Sequence, residues 1–415
     1  MHFNSHAAAH SARATTPPLL AAIGARVEWA SDIVPGLAVV RVEDPRLLDL
    51  AETLTRAQAD VLATERDPAI YPLASPNDQP GWQTQKPYMT RACFPGAWNL
   101  GASSDVVLAV LDGGVDLSML EMQGNLLTNT GEPPTPNGVD DDHNGYVDDY
   151  WGTEFLPPGD PDSTWPLPLD LVGHGNHVAS VLAAAGNNGQ GIAGGLWTCA
   201  YIPVKILGRL LPNDPSFASY ALKGMEYAHR RGARIVNCSW YTMVYSAGLY
   251  KMMNHNSDTL YVVGAGNFGF SLDKPTRCFD VYPAMFDTPN MVCVGASTPD
   301  DAMWELEPTD CARPGMTFGS CWGETSVDLF APGSGITVMH PSGTPAGNVL
   351  PGQEGTSLAA PLVSAAAALL WTRHTTWTPL QVKSQLLLSV DAVFPGECVS
   401  GGRLNVAAAL GVPCE

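Results

Sequence analysis

An almost unbroken run of small and apolar residues, residues 354–371, places the tightest constraint on how this chain can fold. The run opens with Glu-Gly-Thr-Ser and continues mainly as Ala and Leu to Trp371. A helix that is apolar on every side has to be buried, so it requires a large domain around it. Ser357 falls in the first turn of the predicted helix, and Pro361 falls early enough for the helix to tolerate it. The 415 residues are sufficient for one large domain and a smaller unit.

The pattern from about residue 95 onward is an alternation of strands and helices. This alternation predicts an α/β domain over residues 95–415, in three α/β/α layers around a mostly parallel central sheet. The predicted strands are 106–111, 200–207, 233–240, 260–266 and 291–297, and the predicted helices are 177–185, 219–232, 354–371 and 378–390.

The first hundred residues have a different organisation. Residues 1–24 are typical of a tail, and residues 25–75 predict a small α+β unit with two strands, one helix and a closing strand. Residues 76–94 contain Pro76, Pro80 and Gly81 and are expected to form a linker or junction.

Charge and cysteine content limit the partners and the compartment. The formal net charge of −20 disfavours nucleic acids and anionic membranes as partners, and no transmembrane or signal segment is recognised. None of the nine cysteines forms a CxxC motif. The pairs Cys311/Cys321 and Cys398/Cys414 have spacings that a disulfide could bridge, while Cys238 and Cys293 are predicted to be buried thiols.

Four polar residues stand where this kind of sheet places its functional groups. Asp112 ends a strand, His174 opens a helix, Asn267 follows another strand, and Ser357 begins the apolar helix. Each alone has an ordinary structural explanation as a strand end, a cap or a turn. The segment Gly173–His177 also suggests a metal site, but no third ligand stands at a zinc-like spacing. Together, the residues form an Asp, His, Ser series that lacks the GxSxG of α/β-hydrolases.

The motifs around these residues resemble those of the subtilisin-like serine proteases, the subtilases. The similar segments are LDGGVD, GHGNHVAS, GAGN and GTSLAAP, with VDLFAPG and GGRLNVAAAL as further landmarks, and they extend over about residues 90–415. The resemblance implies a serine endopeptidase in which Ser357 is the nucleophile and His174 is the general base. It also implies that Asp112 orients His174, that Asn267 stabilises the oxyanion, and that His177 and Asp116 are structural. The departures from the family pattern are Gly113, Asn176, Ser180 and Leu362.

The resemblance places the primary substrate pocket on two segments, Ser239–Tyr241 and Gly264–Gly266. The residues concerned are Ser239, Trp240, Tyr241, Gly264, Ala265 and Gly266. The aromatic residues Trp240, Tyr241 and Phe268 indicate a preference for hydrophobic residues before the scissile bond. The alternative is that these side chains only pack.

An acidic stretch, residues 140–149, predicts at least one structural Ca²⁺ site. Oxygen ligands at alternate positions around a glycine turn suit a hard cation, although the bidentate Glu that would end such a loop is missing. The expected ligands are Asp140, Asp142, Asn144, the Tyr146 carbonyl and Asp148. The alternative is a polar surface loop. Subtilases are similar over this stretch, and some bind calcium there.

The resemblance extends to expectations for partners and processing. The unit at residues 25–75 is similar to the later part of a subtilase propeptide, so cleavage is expected between about Ala74 and Thr90. Protein or peptide substrates, binding to the chain's own N-terminal unit, and a monomer are expected. By family analogy the protein is secreted or extracytoplasmic, and a cytoplasmic location remains the alternative. Two rival functions are a catalytically silent binding module on the same fold and an esterase with the same triad.

Overall fold

The structure is a computed structural model. It describes residues 2–3, 16, 18–30, 38–58, 61–63, 75–157, 159–208, 216–274, 279–305, 318–341 and 348–414. Contacts divide the chain into two compact units, Met1–Tyr71 and Pro72–Glu415. Each unit is described by itself.

The first unit consists of short strands and two helices. Strand β2 (Ala25–Ala30) pairs antiparallel with β3 (Ala38–Val42), and β1 (His2–Phe3) pairs antiparallel with β4 (Val61–Ala63). Helix α1 spans Pro18–Ala21 and α2 spans Leu48–Arg56. The buried side chains Leu20, Ala25 and Ala51 form its core. Helix α1 and strand β1 therefore lie within the stretch that the sequence predicts to be a tail.

The second unit is built on a seven-stranded sheet in which every pairing is parallel. The strand order is β11-β10-β9-β8-β5-β7-β6. The strands are β5 (Ser103–Asp112), β6 (Thr153–Glu154), β7 (Thr198–Lys205), β8 (Ile235–Cys238), β9 (Leu260–Gly264), β10 (Met291–Ser297) and β11 (Leu329–Pro332).

Helices cover both faces of this sheet. Along β5, Leu108 and Val110 belong to one apolar core, and Ala109 and Leu111 belong to the other. This alternation follows from the two-residue period of a strand and confirms the predicted three-layer α/β/α class. The helices are α3 (Gly81–Arg91), α4 (Phe94–Trp98), α5 (Leu120–Gln123), α6 (His174–Ala183), α7 (Ala218–Arg230), α8 (Ala247–His255), α9 (Thr356–Arg373), α10 (Pro379–Leu388) and α11 (Val406–Ala409).

Helix α9 is the predicted apolar helix, and its position against the sheet explains its composition. Fifteen of its residues are buried, and it contacts β5, β8, β9, β10 and β11. Pro361 lies deeper in the helix than the sequence suggests. Because α9 begins at Thr356, Pro361 removes the N–H that would bond the carbonyl of Ser357.

The segment predicted as a linker, residues 76–94, instead contains helix α3. Its buried residues Gly81, Trp82, Gln85, Tyr88 and Met89 follow helical spacing. Gln85 bonds both backbone groups of Ala193, which fixes the helix to the core of the second unit. The prolines at 80 and 87 disguise this pattern in the sequence, because they usually indicate a break.

Cysteine pairing also differs from the prediction. Cys414 forms a disulfide with Cys93, not with Cys398, because the C-terminal segment returns to the start of α4. Cys398 and Cys321 are free thiols, and Cys311 lies outside the described residues. Cys238 and Cys293 are fully buried, as predicted.

A hairpin that the sequence does not predict lies beside α6. Strands β12 (Ile336–His340) and β13 (Asn348–Gln353) pair antiparallel, and β12 contacts α6. No helix in the described parts of the chain is both long enough and apolar enough to cross a membrane.

Candidate active site

Asp112 lies at the carboxyl end of β5 and is fully buried. Its Oδ1 atom accepts hydrogen bonds from the Gly113 amide and from Nδ1 of His174, both at 2.7 Å. Its Oδ2 atom has no hydrogen-bond partner among the described residues. The carboxylate is therefore directed at a single imidazole, which sets the tautomer and the orientation of that ring.

His174 is the first residue of α6, and a second carboxylate fixes the loop that precedes it. Asp170 accepts hydrogen bonds from the amides of Val172, Gly173 and Asn176 at 2.7–2.8 Å. Burial alone would lower the pKa of His174. The charge of Asp112, its hydrogen bond and the charge of Asp170 outweigh burial, so the pKa is raised above its usual value.

Ser357 is the second residue of α9, and a chain of buried side chains fixes its backbone. The hydroxyl of Ser364 donates to Asn237, the amide of Asn237 donates to Ser239, and the hydroxyl of Ser239 donates to the Ser357 carbonyl. These bonds are 2.8–2.9 Å long. The bond from Ser239 replaces the intrahelical one that Pro361 cannot make.

Asn267 follows β9, and its side chain has a defined orientation. Its Oδ1 atom accepts 2.9 Å hydrogen bonds from both the amide and the hydroxyl of Thr356. The Nδ2 group and the Ser357 hydroxyl both lie beside Gly355. A Cβ atom on Gly355 would lie 3.2 Å from both Asn267 Nδ2 and Ser357 Oγ. Gly355 also has a φ of 141°, so glycine is required here for conformation as well as for space.

These four residues line one cleft of about 510 Å³ at the carboxyl edge of the sheet. Of the predicted substrate-binding residues, Ser239, Trp240, Tyr241, Gly264 and Gly266 also line it. Ala265 does not, because its side chain is fully buried in the core. The sequence did not identify six further lining residues, Val172, Leu207, Gly208, Ser216, Thr242 and Met243. They come from loops that close over the sheet edge only in the fold.

Phe268 does not line this cleft but supports its wall. Its ring packs edge-on against Tyr241 with centroids 4.9 Å apart, and it also packs on Phe270 and Phe279. Of the three aromatic residues that the sequence singles out, Trp240 and Tyr241 therefore line the cleft, whereas Phe268 packs behind it.

The acidic loop brings together a different set of carboxylates from the predicted one. Oxygen atoms of Glu132, Asp140 and Asp142 lie within 4.8 Å of one another. Glu132 Oε2 is buried and has no hydrogen-bond partner among the described residues, so this donor set fits a hard cation. Asp148 is not in the group, because its carboxylate accepts bonds from the amides of Asn137 and Gly138. The sequence missed Glu132, which stands eight residues before the loop.

Of the other predicted ligands, Asn144 makes contacts within the loop, whereas Tyr146, which was predicted to bind through its carbonyl, packs its ring outside the loop. Asn144 Oδ1 accepts from the Tyr146 amide, and Asn144 Nδ2 donates to Asp142 and Asp149. The ring of Tyr146 packs on Tyr227.

A further pair of buried carboxylates, Asp78 and Glu121, lies in the same unit. Asp78 accepts from the amides of Asn187 and Asn188, and the side chain of Asn188 donates to Glu121. Burial and the charge of Asp78 together raise the pKa of Glu121 to about 7, against the opposing effect of the hydrogen bond from Asn188. Two buried carboxylates that disfavour each other's charge would be stabilised by a cation.

His177, one helical turn after His174, bonds to a histidine of the neighbouring hairpin. Its Nε2 atom lies 2.8 Å from Nδ1 of His340. Burial and the nearby His340 and His174 together lower the pKa of His177 to about 4, against the opposing effect of Asp112.

Comparisons with known proteins place this arrangement in a family. The sequence profile of the subtilase family matches residues 103–406. Thermitase of Thermoactinomyces vulgaris is 28% identical over 299 residues, which cover 71% of this chain and 85% of thermitase. Subtilisin-like protease 1 of Plasmodium berghei is 28% identical over 302 residues. That match covers 68% of this chain and 45% of the Plasmodium protein, so the chain spans less than half of that relative.

Solved structures share the fold of this chain. The solved structure of a protease from Pseudoalteromonas arctica has a TM-score of 0.59 and 23% identity, covering 81% of this chain and 99% of that one. At this identity the likeness shows the fold alone. The match to the family profile extends over most of the chain and includes Asp112, His174, Asn267 and Ser357. These four residues line the same cleft. The chain belongs to the subtilase family.

Proposed function

We propose that this chain is a serine endopeptidase that hydrolyses peptide bonds through a Ser357 acyl-enzyme. The observation that carries the proposal is the hydrogen bond from His174 to the buried Asp112, at the wall of the cleft that also contains Ser357 and Asn267. An oriented base, a hydroxyl and an amide donor in one cleft are the groups that acyl transfer needs.

The proposed reaction follows from these positions. The Ser357 Oγ atom attacks the scissile carbonyl carbon while His174 takes the hydroxyl proton, and Asp112 stabilises the resulting imidazolium. The amide of Asn267 donates to the oxyanion that forms. Collapse of the intermediate expels the amine, which receives the proton from His174. Water, deprotonated by the same ring, then cleaves the ester and regenerates Ser357.

We expect a preference for hydrophobic residues before the scissile bond. Trp240, Met243, Val172 and Leu207 give the cleft a largely apolar lining, and Tyr241 and Met243 are exposed apolar groups there. Burial of an apolar substrate side chain against this surface is favourable.

A structural calcium ion is part of the proposal. Glu132, Asp140 and Asp142 would hold it, and the buried Oε2 atom of Glu132 supports this assignment. Asp78 and Glu121 with Asn188 are candidates for a second ion. When bound, the ion neutralises carboxylates that otherwise repel one another.

We further propose that the first unit acts as a propeptide. Helix α3 and the fully buried Asp78 belong to the second unit, so cleavage after residue 78 would cut into its packed core. This narrows the expected cleavage region to residues 74–77, within the range that the sequence predicts. The mature protein is expected to be a monomer. The Cys93–Cys414 disulfide supports a secreted or extracytoplasmic location, because such bonds persist in oxidising compartments.

Peptide hydrolysis tests the proposal. A panel of peptides that vary only at the residue before the cleavage site should be cut, with phenylalanine, leucine or tyrosine favoured over lysine and glutamate. The Ser357→Ala variant should cut none of them. Hydrolysis of simple esters without any cleavage of peptides would instead support an esterase.

A further inference from the structure

The His177–His340 pair lies directly beside the proposed catalytic residues but has no part in the proposed hydrolysis. Their facing nitrogens are 2.8 Å apart, and their ring centroids are 5.1 Å apart. His177 stands three residues after His174 in α6, and His340 is the last residue of β12. Both residues are half-buried, so both retain contact with solvent.

Hydrogen bonds between α6 and β12 hold the two histidines next to each other. The Asn176 side chain donates to the Met339 carbonyl at 2.7 Å. The hydroxyl of Ser180 accepts from the Met339 amide at 3.0 Å and donates to the His177 carbonyl. Because these bonds flank both histidines, they keep the two backbone segments side by side and hold the rings within reach of each other.

The pair also lies against the residue that precedes His174. A Cβ atom on Gly173 would be 2.9 Å from Nδ1 of His340 and 3.5 Å from Nε2 of His177. The two facing nitrogens therefore pack on the backbone at the N-terminus of α6. A change in their separation would act on the turn that positions His174.

Two imidazole nitrogens that face each other are suited to a transition-metal ion, because imidazole is the commonest metal ligand in proteins. Tetrahedral Zn²⁺ with Zn–N bonds of about 2.0–2.1 Å separates two ligand nitrogens by about 3.3 Å. The facing nitrogens would have to move apart by about 0.5 Å, and the rings would have to turn so that both nitrogens point at the ion, with each N–H carried on the nitrogen that faces away from it.

We propose that His177 Nε2 and His340 Nδ1 bind a divalent transition-metal ion of the zinc class, with water completing its coordination. The ion replaces the hydrogen bond between the rings, shifts Gly173, and thereby slows hydrolysis by displacing His174. The binding half of this inference stands without the proposed function. The inhibitory half rests on it.

Calorimetric titration of the full chain with Zn²⁺, in saturating Ca²⁺, tests binding. We expect one zinc site in the wild-type protein that is lost in His340→Gln and His177→Gln and kept in His255→Gln. His255 is the matched control, because it is an exposed histidine at the end of α8. Removal even of an outer-shell partner costs about 10–100-fold in metal affinity, so loss of a ligand should cost at least as much. Equal affinity in His340→Gln and wild type overturns the site. Thermal melting shows whether each variant is folded.

Peptidase assays with and without zinc test the inhibitory half. Zinc should slow the wild-type protein and His255→Gln, but leave His340→Gln at its own zinc-free rate. If zinc inhibits His340→Gln as strongly as the wild-type protein, the inhibitory zinc binds at another site. If the wild-type protein binds zinc and keeps its full activity, the proposed inhibition is wrong. If the wild-type protein hydrolyses no peptide at all, the proposed function fails, and the titration alone still decides whether the site exists.

Discussion

The hydroxyl of Ser239 donates a 2.8 Å hydrogen bond to the main-chain carbonyl of Ser357. In a regular helix that carbonyl would accept from the amide of residue 361, but Pro361 has no N–H. Pro361 therefore leaves the Ser357 carbonyl without a donor from its own helix. Ser239, which follows strand β8, supplies the donor instead. The buried side chains of Asn237 and Ser364 extend this link.

The first prediction concerns the hydrogen-bond donor of the Ser357 carbonyl, which is Ser239 and not the amide of residue 361. Ser239→Ala leaves the Ser357 carbonyl without a donor and should lower the free energy of unfolding by about 1–3 kcal/mol. Pro361→Ala supplies an intrahelical N–H, so the double variant should recover about 1 kcal/mol of that loss. Urea unfolding measures both. For this residue pair we would introduce the changes into a Ser357→Ala background, which prevents self-digestion. Strictly additive effects would show that the two residues do not share this carbonyl.

The pH dependence of hydrolysis should reflect the environment of His174. Asp112 and Asp170 raise the pKa of this ring against the effect of burial. Only the neutral ring can accept the Ser357 proton, so activity should be low below this pKa and rise through it. Asp170→Asn removes one of the two negative charges and should move the acid limb of kcat/KM to lower pH. An acid limb that stays in place or moves upward would contradict the role given to Asp170.

Calcium dependence of stability should depend on Glu132. Its Oε2 atom is buried without a described partner, so Glu132→Gln should weaken the stabilisation by Ca²⁺, which is about 2.7 kcal/mol at a hundredfold excess over Kd. In chelator the variant should be more stable than the wild-type protein, because it no longer places a third negative charge beside Asp140 and Asp142. Melting curves with and without Ca²⁺ show which of the two proteins is more stable in each condition. A variant that is equally destabilised in both conditions would indicate a purely structural role for Glu132.

The disulfide between Cys93 and Cys414 should be a major source of stability. It joins residues that are 321 positions apart, and a loop of that length restricts the unfolded chain by at most about 5–6 kcal/mol. Cys93→Ser with Cys414→Ser should therefore lower the unfolding midpoint strongly, and reducing agent should have the same effect on the wild-type protein. Cys398→Ser is the control, because Cys398 is a free buried thiol. A larger loss from the control would favour the pairing that the sequence suggests.

The strands and helices that a local run of apolar residues marks were predictable from the sequence. The strands that end at Asp112 and before Asn267 are buried on both faces, so their apolar runs indicate them directly. The same holds for α9, whose composition requires burial. Because parallel strands present their carboxyl ends at one edge, the order of motifs was enough to bring Asp112, His174, Asn267 and Ser357 together.

The features that were missed depend on contacts between distant segments. Glu132 reaches Asp140 through the fold, and His340 reaches His177 across 163 positions of sequence. Helix α3 was missed because Pro80 and Pro87 outweigh the helical spacing of Trp82, Gln85 and Met89. Cys93 and Cys414 pair for a similar reason: the C-terminal segment returns to α4, which no local pattern indicates.

Labelling with a fluorophosphonate probe tests the central claim most directly. The wild-type protein, folded, loaded with Ca²⁺ and cut between its two units, is incubated with the probe beside Ser357→Ala, and intact masses are measured. The account predicts a single adduct on the wild-type protein and none on the variant, because Asp112 and His174 activate one hydroxyl. A cut, folded and Ca²⁺-loaded wild-type protein that takes up no probe would contradict an activated nucleophile and leave a silent binding module on the same fold.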